Sequence, residues 1–579
     1  MIGPAYLAVI DPQQSGRGSS SIADAQAQFG LALAYEGPAL VILSTPGSPV
    51  RAIGRIGAVI GTLFDQAGSP VERALGPNLE ATEARALIDH FWGDYLALAA
   101  HPGSKTVTVL RAPAGRLPAY RTRQGCVTYY ASHIDLLSGL ELISPAIDWG
   151  FVAHRLAFPH LPNETTGLHC VEELLPGNFV REYGRAGDAE SLWSPWTFAS
   201  PDRQIRSFAK ATANVHDAVV SATSALTCGR GGLLLELSGG LDSSIIAASL
   251  AENGRSAVAY NLSTSGKEGD ERIYARQVSE HCGFPLIEEM AEGSIDLTAP
   301  VRHVTARPAM PAMLSIVDAR FEAKARELHV DAFIGGMGGD CVFCSLGSAA
   351  PATDACLALG PGTRLFATLG NVARVHNSNV WTVVRLMMRQ LVRRRSHRGW
   401  RRDDTFLHRP SLPTRFREHS WLIEPDNALP GSRAHIQQIL GASAHLDDYG
   451  RNHAAPSLFP LLTQPVIEAC LATPSWLWVE GGQNRAAARA AFRGRLPDAI
   501  LDRRTKGGME AFCARTFEAN RDRLRPFLLD GLLAQAGLLD RASIDAYLTR
   551  PFTNRDSQFY SILPIADMEA WARGVIGSA

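Results

Sequence analysis

The sequence carries few marks of a secreted, membrane-spanning or nucleic-acid-binding protein. Nowhere do eighteen apolar residues follow one another, so no membrane-spanning helix is expected. The opening residues, MIGPAYLAVIDPQQSG, have no basic n-region and only a short apolar run, which argues for a cytoplasmic location. Formal charge is −1 over 579 residues with 46% hydrophobic content, which gives no overall pull towards nucleic acid or membrane. The nine cysteines (126, 170, 228, 282, 341, 344, 356, 470 and 513) form no disulfide framework, and their odd number suits reduced thiols. Cys341 and Cys344 make a lone CxxC without two further ligands at zinc spacing, so both are read as core residues. There is no internal repeat. A chain of 579 residues exceeds one core and should fold as two or more domains.

What is present divides the chain in two. Up to about residue 185, short apolar segments such as Leu40 to Ser44, Val107 to Arg111 and Gly125 to Ser132 alternate with Gly/Pro turns, with a helix over Ala81 to Phe91. A polar stretch, Glu182 to Arg206, then leads into a helix beginning near Ile205. Beyond it the pattern becomes strand Leu233 to Leu237, helix Ser244 to Asn253, strand Ser256 to Leu262, helix Glu271 to Cys282, strand Pro285 to Glu289, a long helix ending near His329, and strand Asp331 to Ile334. Alternation of this kind predicts a parallel, doubly wound α/β sheet whose ligands bind beyond the carboxyl ends of its strands. From Leu357 to Ala579 the pattern is mainly helical. Eight arginines between Arg385 and Arg402 suit a solvated helix end or a docking surface for an acidic peptide or protein; with Trp400 as the sole interleaved aromatic, they do not make a nucleic-acid footprint.

The densest chemistry lies at Ser238-Gly239-Gly240-Leu241-Asp242-Ser243-Ser244, between an apolar strand and an apolar helix. The glycines let the backbone approach a ligand, and the serines stand at a helix N-terminus, where unpaired N–H groups favour an anion. The loop lacks the lysine of a Walker motif and has an aspartate instead, which points to a phosphate held through a metal and backbone. It resembles the pyrophosphate loop of the ATP pyrophosphatases, which cleave ATP to AMP and pyrophosphate to activate a carboxylate or carbonyl.

Three further segments resemble the asparagine synthetase family. Gly335-Gly336-Met337-Gly338-Gly339-Asp340 looks like its second nucleotide loop, Leu458-Phe459-Pro460-Leu461-Leu462 like its Pro-Phe-Leu segment, and Leu501 to Gly508 (LDRRTKGG) like its late basic segment. The resemblance implies ATP over Leu237 to Ser244, Leu262 and Gly336, an Mg2+ pair of Asp242 and Asp340, and Lys506 above the reacting carbonyl and phosphate. Earlier, Phe91-Trp92-Gly93-Asp94-Tyr95, Gly115 to Tyr120, Glu173 to Asn178 and Leu192-Trp193 follow the order of that family's glutaminase domain. The fold expected is therefore a glutaminase-like α+β sandwich over 1–200 and a synthetase domain with a helical C-terminal part over 205–579.

The departures narrow the function. The glutaminase uses a cysteine directly after the initiator methionine, whereas this chain has Ile2 and no cysteine before Cys126. β-Lactam synthetases carry a tyrosine where Met337 stands, and methionine cannot act as an acid or base. The GMGGDCVF form of the second loop and TKGG around the lysine look most like the lasso peptide cyclases. That likeness implies adenylation of an Asp or Glu side chain in a precursor core peptide, followed by attack of the peptide's N-terminal amine to close a macrolactam. A leader-binding protein and a leader peptidase are the expected partners; nucleic acid and membrane are not. Lys506, with an ordinary pKa of about 10.4, is read as a cation stabilising oxyanions, and Asp447, Asp448, Tyr449 and His453 as candidates to take the amine proton. The alternatives are an asparagine synthetase-like or β-lactam synthetase-like ligase acting on a small substrate.

Overall fold

The computed structural model describes residues 5–578 except 38, 74, 76–83, 102–104, 184–186, 265–269, 292–294, 302, 309–310, 393–398, 447–448, 505–509 and 552–555. The N-terminal part is built on two six-stranded sheets. In one, Tyr6–Ile10 pairs antiparallel with Leu40–Ser44 on one side and Val127–Ala131 on the other; in the second, Phe91–His101 lies between Gly57–Asp65 and Thr106–Arg111. Period-two alternation packs them. Tyr6, Ala8 and Ile10 enter one apolar cluster with Ile60, Leu96, Leu98 and Val109 of the other sheet, while Leu7 and Val9 face the opposite side with Leu110 and Tyr95. The helix expected over Ala81 to Phe91 spans Ala84–His90, its first expected residues lying outside the described ones.

The second part centres on a five-stranded, all-parallel sheet in the spatial order Leu286–Ala291, Val258–Thr264, Leu233–Glu236, Ala332–Gly335, Ser457–Leu458. Leu233–Glu236, an apolar run without alternation, is the central strand, as burial on both faces requires: Leu235 joins the main core and Leu234 a smaller cluster with Tyr260, Phe321 and Phe333. Two expectations need correction. The helix after the first loop begins at Leu241, three residues earlier than the pattern suggested, so Asp242, Ser243 and Ser244 lie in its first turn. The helix expected near Ile205 begins at Phe208, capped by Ser207, whose side chain accepts from the Lys210 N–H.

The two parts are joined by buried polar contacts. The Glu173 carboxylate, 3% exposed, pairs with Arg111 of its own sandwich and, at 2.7 Å, with Arg307 of the second part. Burial pushes its pKa up, but the two guanidiniums outweigh that and hold the carboxyl below its usual range. The Trp193 indole N–H donates to Glu468 Oε1 at 2.8 Å, and the Trp196 indole N–H donates to the Trp421 carbonyl at 2.8 Å. Among the described residues no helix is long and apolar enough to cross a membrane.

Candidate active site

Both glycine-rich loops leave the sheet at its carboxyl edge, from neighbouring strands whose residues Glu236 and Gly335 are in register. Gly239 has φ +82°, and a Cβ there would meet Ala275 N at 2.8 Å and Glu271 O at 2.9 Å; no other residue fits both constraints. The serines brace the turn: the Gly240 N–H donates to Ser238 Oγ at 3.2 Å, and Ser244 Oγ–H to the Gly240 carbonyl at 2.7 Å. Among the described residues no side chain caps the helix that follows at Gly240.

The second loop lies on the first. A Cβ on Gly336 would come within 2.4 Å of Ser243 N, and one on Gly339 within 2.4 Å of Asp242 Cγ. A Cβ on Gly338, at φ +81°, would meet Leu462 Cγ at 2.5 Å. The spacing Gly336-x-Gly338-Gly339-Asp340 is thus a steric requirement for stacking this loop between Asp242 and the Pro460–Leu462 turn. The consequence is that Asp242 and Asp340, 98 positions apart in the chain, meet.

Arg485 occupies the point of convergence. Its Nη1 donates to both Asp242 carboxylate oxygens at 2.9 Å and to Asp340 Oδ1 at 2.6 Å, with the arginine side chain 7% exposed. The residue sits in the left-handed region, at φ +55°, a conformation that costs a non-glycine residue about 1–3 kcal/mol and persists only where the surroundings impose it. Two carboxylates already sharing one cation suit Mg2+, which takes one or two carboxylates and completes its shell with phosphate oxygens and water. No group of three or more His, Cys, Asp or Glu side chains is arranged to hold a metal among the described residues.

A cleft beside Asp340 is lined by Cys341, Asn484, Arg485, Arg489, Arg503 and Arg504. Arg503 pairs with Glu271 at 2.6 Å and lies 3.9 Å over the Tyr274 ring, which locks it beside the Gly239 turn. Burial, with Arg485 nearby, pulls Arg489 down to about 10. Cys344 is buried, but Cys341 is only half-buried and lines the cleft, so the expectation of two core cysteines holds for Cys344 alone.

Other candidates separate. Lys506, Asp447 and Asp448 lie outside the described residues. Tyr449 packs on Phe459, ring centroids 5.5 Å apart, with the Arg451 guanidinium 4.7 Å from its ring. His453 pairs instead with His303, centroids 4.6 Å apart; burial first, then His303, lowers its pKa. The same segment brings up acids that sequence reasoning missed. Arg451 Nη2 donates to Glu236 Oε2 at 2.8 Å, and the Gly450 N–H to Asp318 Oδ2 at 2.8 Å. Burial pushes Asp318 up to about 6, against the opposing pull of Arg451. Leu237 is buried at the end of the central strand, its carbonyl accepting from Asn261 Nδ2 at 2.7 Å, and Leu262 packs against the Tyr260 cluster one strand away.

This arrangement, a parallel sheet with two glycine loops and paired aspartates at its carboxyl edge, defines a nucleotide-dependent α/β enzyme. The asparagine synthase family model matches residues 214–573, more than half of the chain, and the chain belongs to that family. It is accordingly an ATP-using, amide-forming enzyme. Among curated proteins none matches. Solved structures similar to it include a glutamine phosphoribosylpyrophosphate (PRPP) amidotransferase from B. subtilis complexed with ADP and GMP. That structure is 10% identical, covers 57% of this chain and 90% of its own, and has a TM-score of 0.19, too low to bear on function.

Proposed function

We propose that this enzyme closes a macrolactam in a ribosomally made peptide, a lasso precursor, by adenylating an Asp or Glu side chain and joining it to the peptide's N-terminal amine, with AMP and pyrophosphate released. The observation that carries the reading is the meeting of Asp242 and Asp340 at the N-terminus of the Leu241–Glu252 helix. Bound there, Mg2+ would be held by Asp242 and Asp340 and would neutralise phosphate charge. The Ser238 to Ser244 loop takes the leaving pyrophosphate through its N–H groups, and the arginines of the cleft hold it by charge. Lys506 stabilises negative charge on the reacting phosphate and carbonyl.

Two residues narrow the chemistry. Ile2 is not the thiol that glutamine hydrolysis uses, and Met337, standing where β-lactam synthetases carry a tyrosine, argues against β-lactam closure. An α-amine of pKa about 7.7–8.0 is roughly 10–20% neutral at pH 7, so activation of the carboxylate is the harder task. A leader-binding protein and a leader peptidase would deliver the substrate, in the cytoplasm.

The test is incubation with ATP, Mg2+ and a leaderless peptide carrying a free N-terminus and an internal Asp or Glu. Loss of one water by mass spectrometry, with AMP and pyrophosphate in equal amount, is expected. ADP and phosphate as products would overturn the adenylation chemistry. Asparagine formed from aspartate and ammonium, with the peptide untouched, would assign the enzyme a small substrate instead.

A further inference from the structure

A net charge of −1 conceals a strong local imbalance. Residues 355–392 contain Arg364, Arg374, Arg385 and Arg389 and neither Asp nor Glu. All four arginines are exposed, and among the described residues none pairs with a carboxylate. In the sequence the arginine-rich run to Arg402 follows directly.

On this basic segment lies the helix Val380–Val392, with apolar residues on both its buried and its exposed side. Val383 and Met387 bury its inner face against the 363–375 helix, through a core shared with Leu365, Leu369 and Val372. The outer face should then be polar, and it is not. Trp381 is 81% exposed, Met388 51% and Val392 82%. With Arg385 they fall at i, i+4, i+7 and i+11, one line along the helix. Leu386 is also exposed beside this line, as is Phe366 on the preceding helix.

We propose that the outer face of the Val380–Val392 helix docks the enzyme on an anionic lipid surface, independently of the catalytic reading. The anchors form a ridge and not a groove: Thr382 and Arg389 beside them are also exposed. A ridge of Trp, Met and Val inserts into the soft boundary between headgroups and acyl chains, where tryptophan settles and arginine snorkels towards phosphate. The cations are spread over two helices, and among the described residues none is held in a fixed ion pair. Such a diffuse field matches a surface of many equivalent anions better than the few placed carboxylates of a protein groove. A single weak anchor binds membranes only marginally, whereas an apolar stripe with basic residues supplies two attractions on one face. Whole-chain charge and the search for long apolar runs both miss this feature, which is local in charge and interrupted in hydrophobicity.

The experiment is co-sedimentation of the full chain with vesicles of 70:30 phosphatidylcholine:phosphatidylglycerol, against pure phosphatidylcholine, at 0.1 and 0.5 M NaCl. Binding to the anionic vesicles alone, weakened by salt, is expected. Trp381→Ser with Met388→Ser and Val392→Ser should abolish it, and Arg385→Gln with Arg389→Gln should weaken it on the order of thirtyfold. These side chains lie outside the core, so ATP turnover in free solution should not change in either variant. No binding to anionic vesicles at low salt, or undiminished binding by the triple variant, would overturn the proposal. Capture of a purified acidic protein by this face, without vesicle binding, would assign it to a protein partner and overturn it equally.

Discussion

Gly339 lies so close to Asp242 that a methyl group on it would sit 2.4 Å from the aspartate's Cγ and 2.6 Å from its Cβ. The second loop therefore positions the first loop's carboxylate by contact. Gly339→Ala should push that carboxylate out of line with Asp340 and lower AMP release at least tenfold, while the melting temperature moves by only a few degrees. An alanine variant with full turnover would show that the carboxylate has room to give.

Asp242→Asn and Asp340→Asn should each abolish adenylation without unfolding the chain, because each removes charge from the meeting point and not an apolar contact. Near wild-type AMP release by either variant at saturating Mg2+ would remove the proposed pair.

Arg485 neutralises two carboxylates, one of them 13% exposed. Arg485→Ala should therefore destabilise the protein in EDTA, by about 1–3 kcal/mol once the half-exposed Asp340 is allowed for. Added Mg2+ should raise the melting temperature of the variant more than that of the parent, since the ion takes over the lost charge. Equal shifts in both proteins would separate Arg485 from the ion's seat.

Asp318 yields a prediction about pH. Its folded pKa of about 6 lies above the ordinary 3.8, so burial favours the neutral acid. The stability this confers is complete below pH 3.8 and is lost as pH rises through 6, up to about 3 kcal/mol over that window. Asp318→Asn keeps an acceptor for the Gly450 N–H but cannot ionise. Denaturant titrations from pH 4 to 7 should show a flatter profile for this variant than for the parent.

Lys506→Ala should lose on the order of 10² to 10³ in single-turnover cyclisation with little change in apparent ATP affinity, because a cation aimed at developing charge adds little to ground-state binding. Arg should rescue it only in part, a planar fork being a poor copy of a point charge. Unchanged cyclisation would move the role to another group.

The strands and both loops were legible because their signals are local: an unbroken apolar run, a glycine cluster, an acid at fixed spacing. Arg485 was not. Nothing in Asn484-Arg485-Ala486-Ala487-Ala488-Arg489 marks Arg485 as part of a site, and only the fold turns it towards Asp242. Ser457–Leu458 went unrecognised as a strand because two residues carry no periodicity; its pairing is defined by Phe333 and Ile334, more than 120 positions earlier. Two of the candidates to take the amine proton, Tyr449 and His453, pack apart for a similar reason. Nearness in sequence placed Tyr449 beside His453, whereas packing sends the one to Phe459 and the other to His303.

The shared carboxylate of Glu173 bears on how the chain comes apart. Separating the sandwich from the sheet would strand the Arg307 charge on one side and leave Glu173 with a single counter-ion on the other, while exposing the polar ends of Trp193 and Glu468 that now satisfy each other. Neither half is a detachable module. The two should melt in one calorimetric transition, which makes the sandwich half of the enzyme's folding unit.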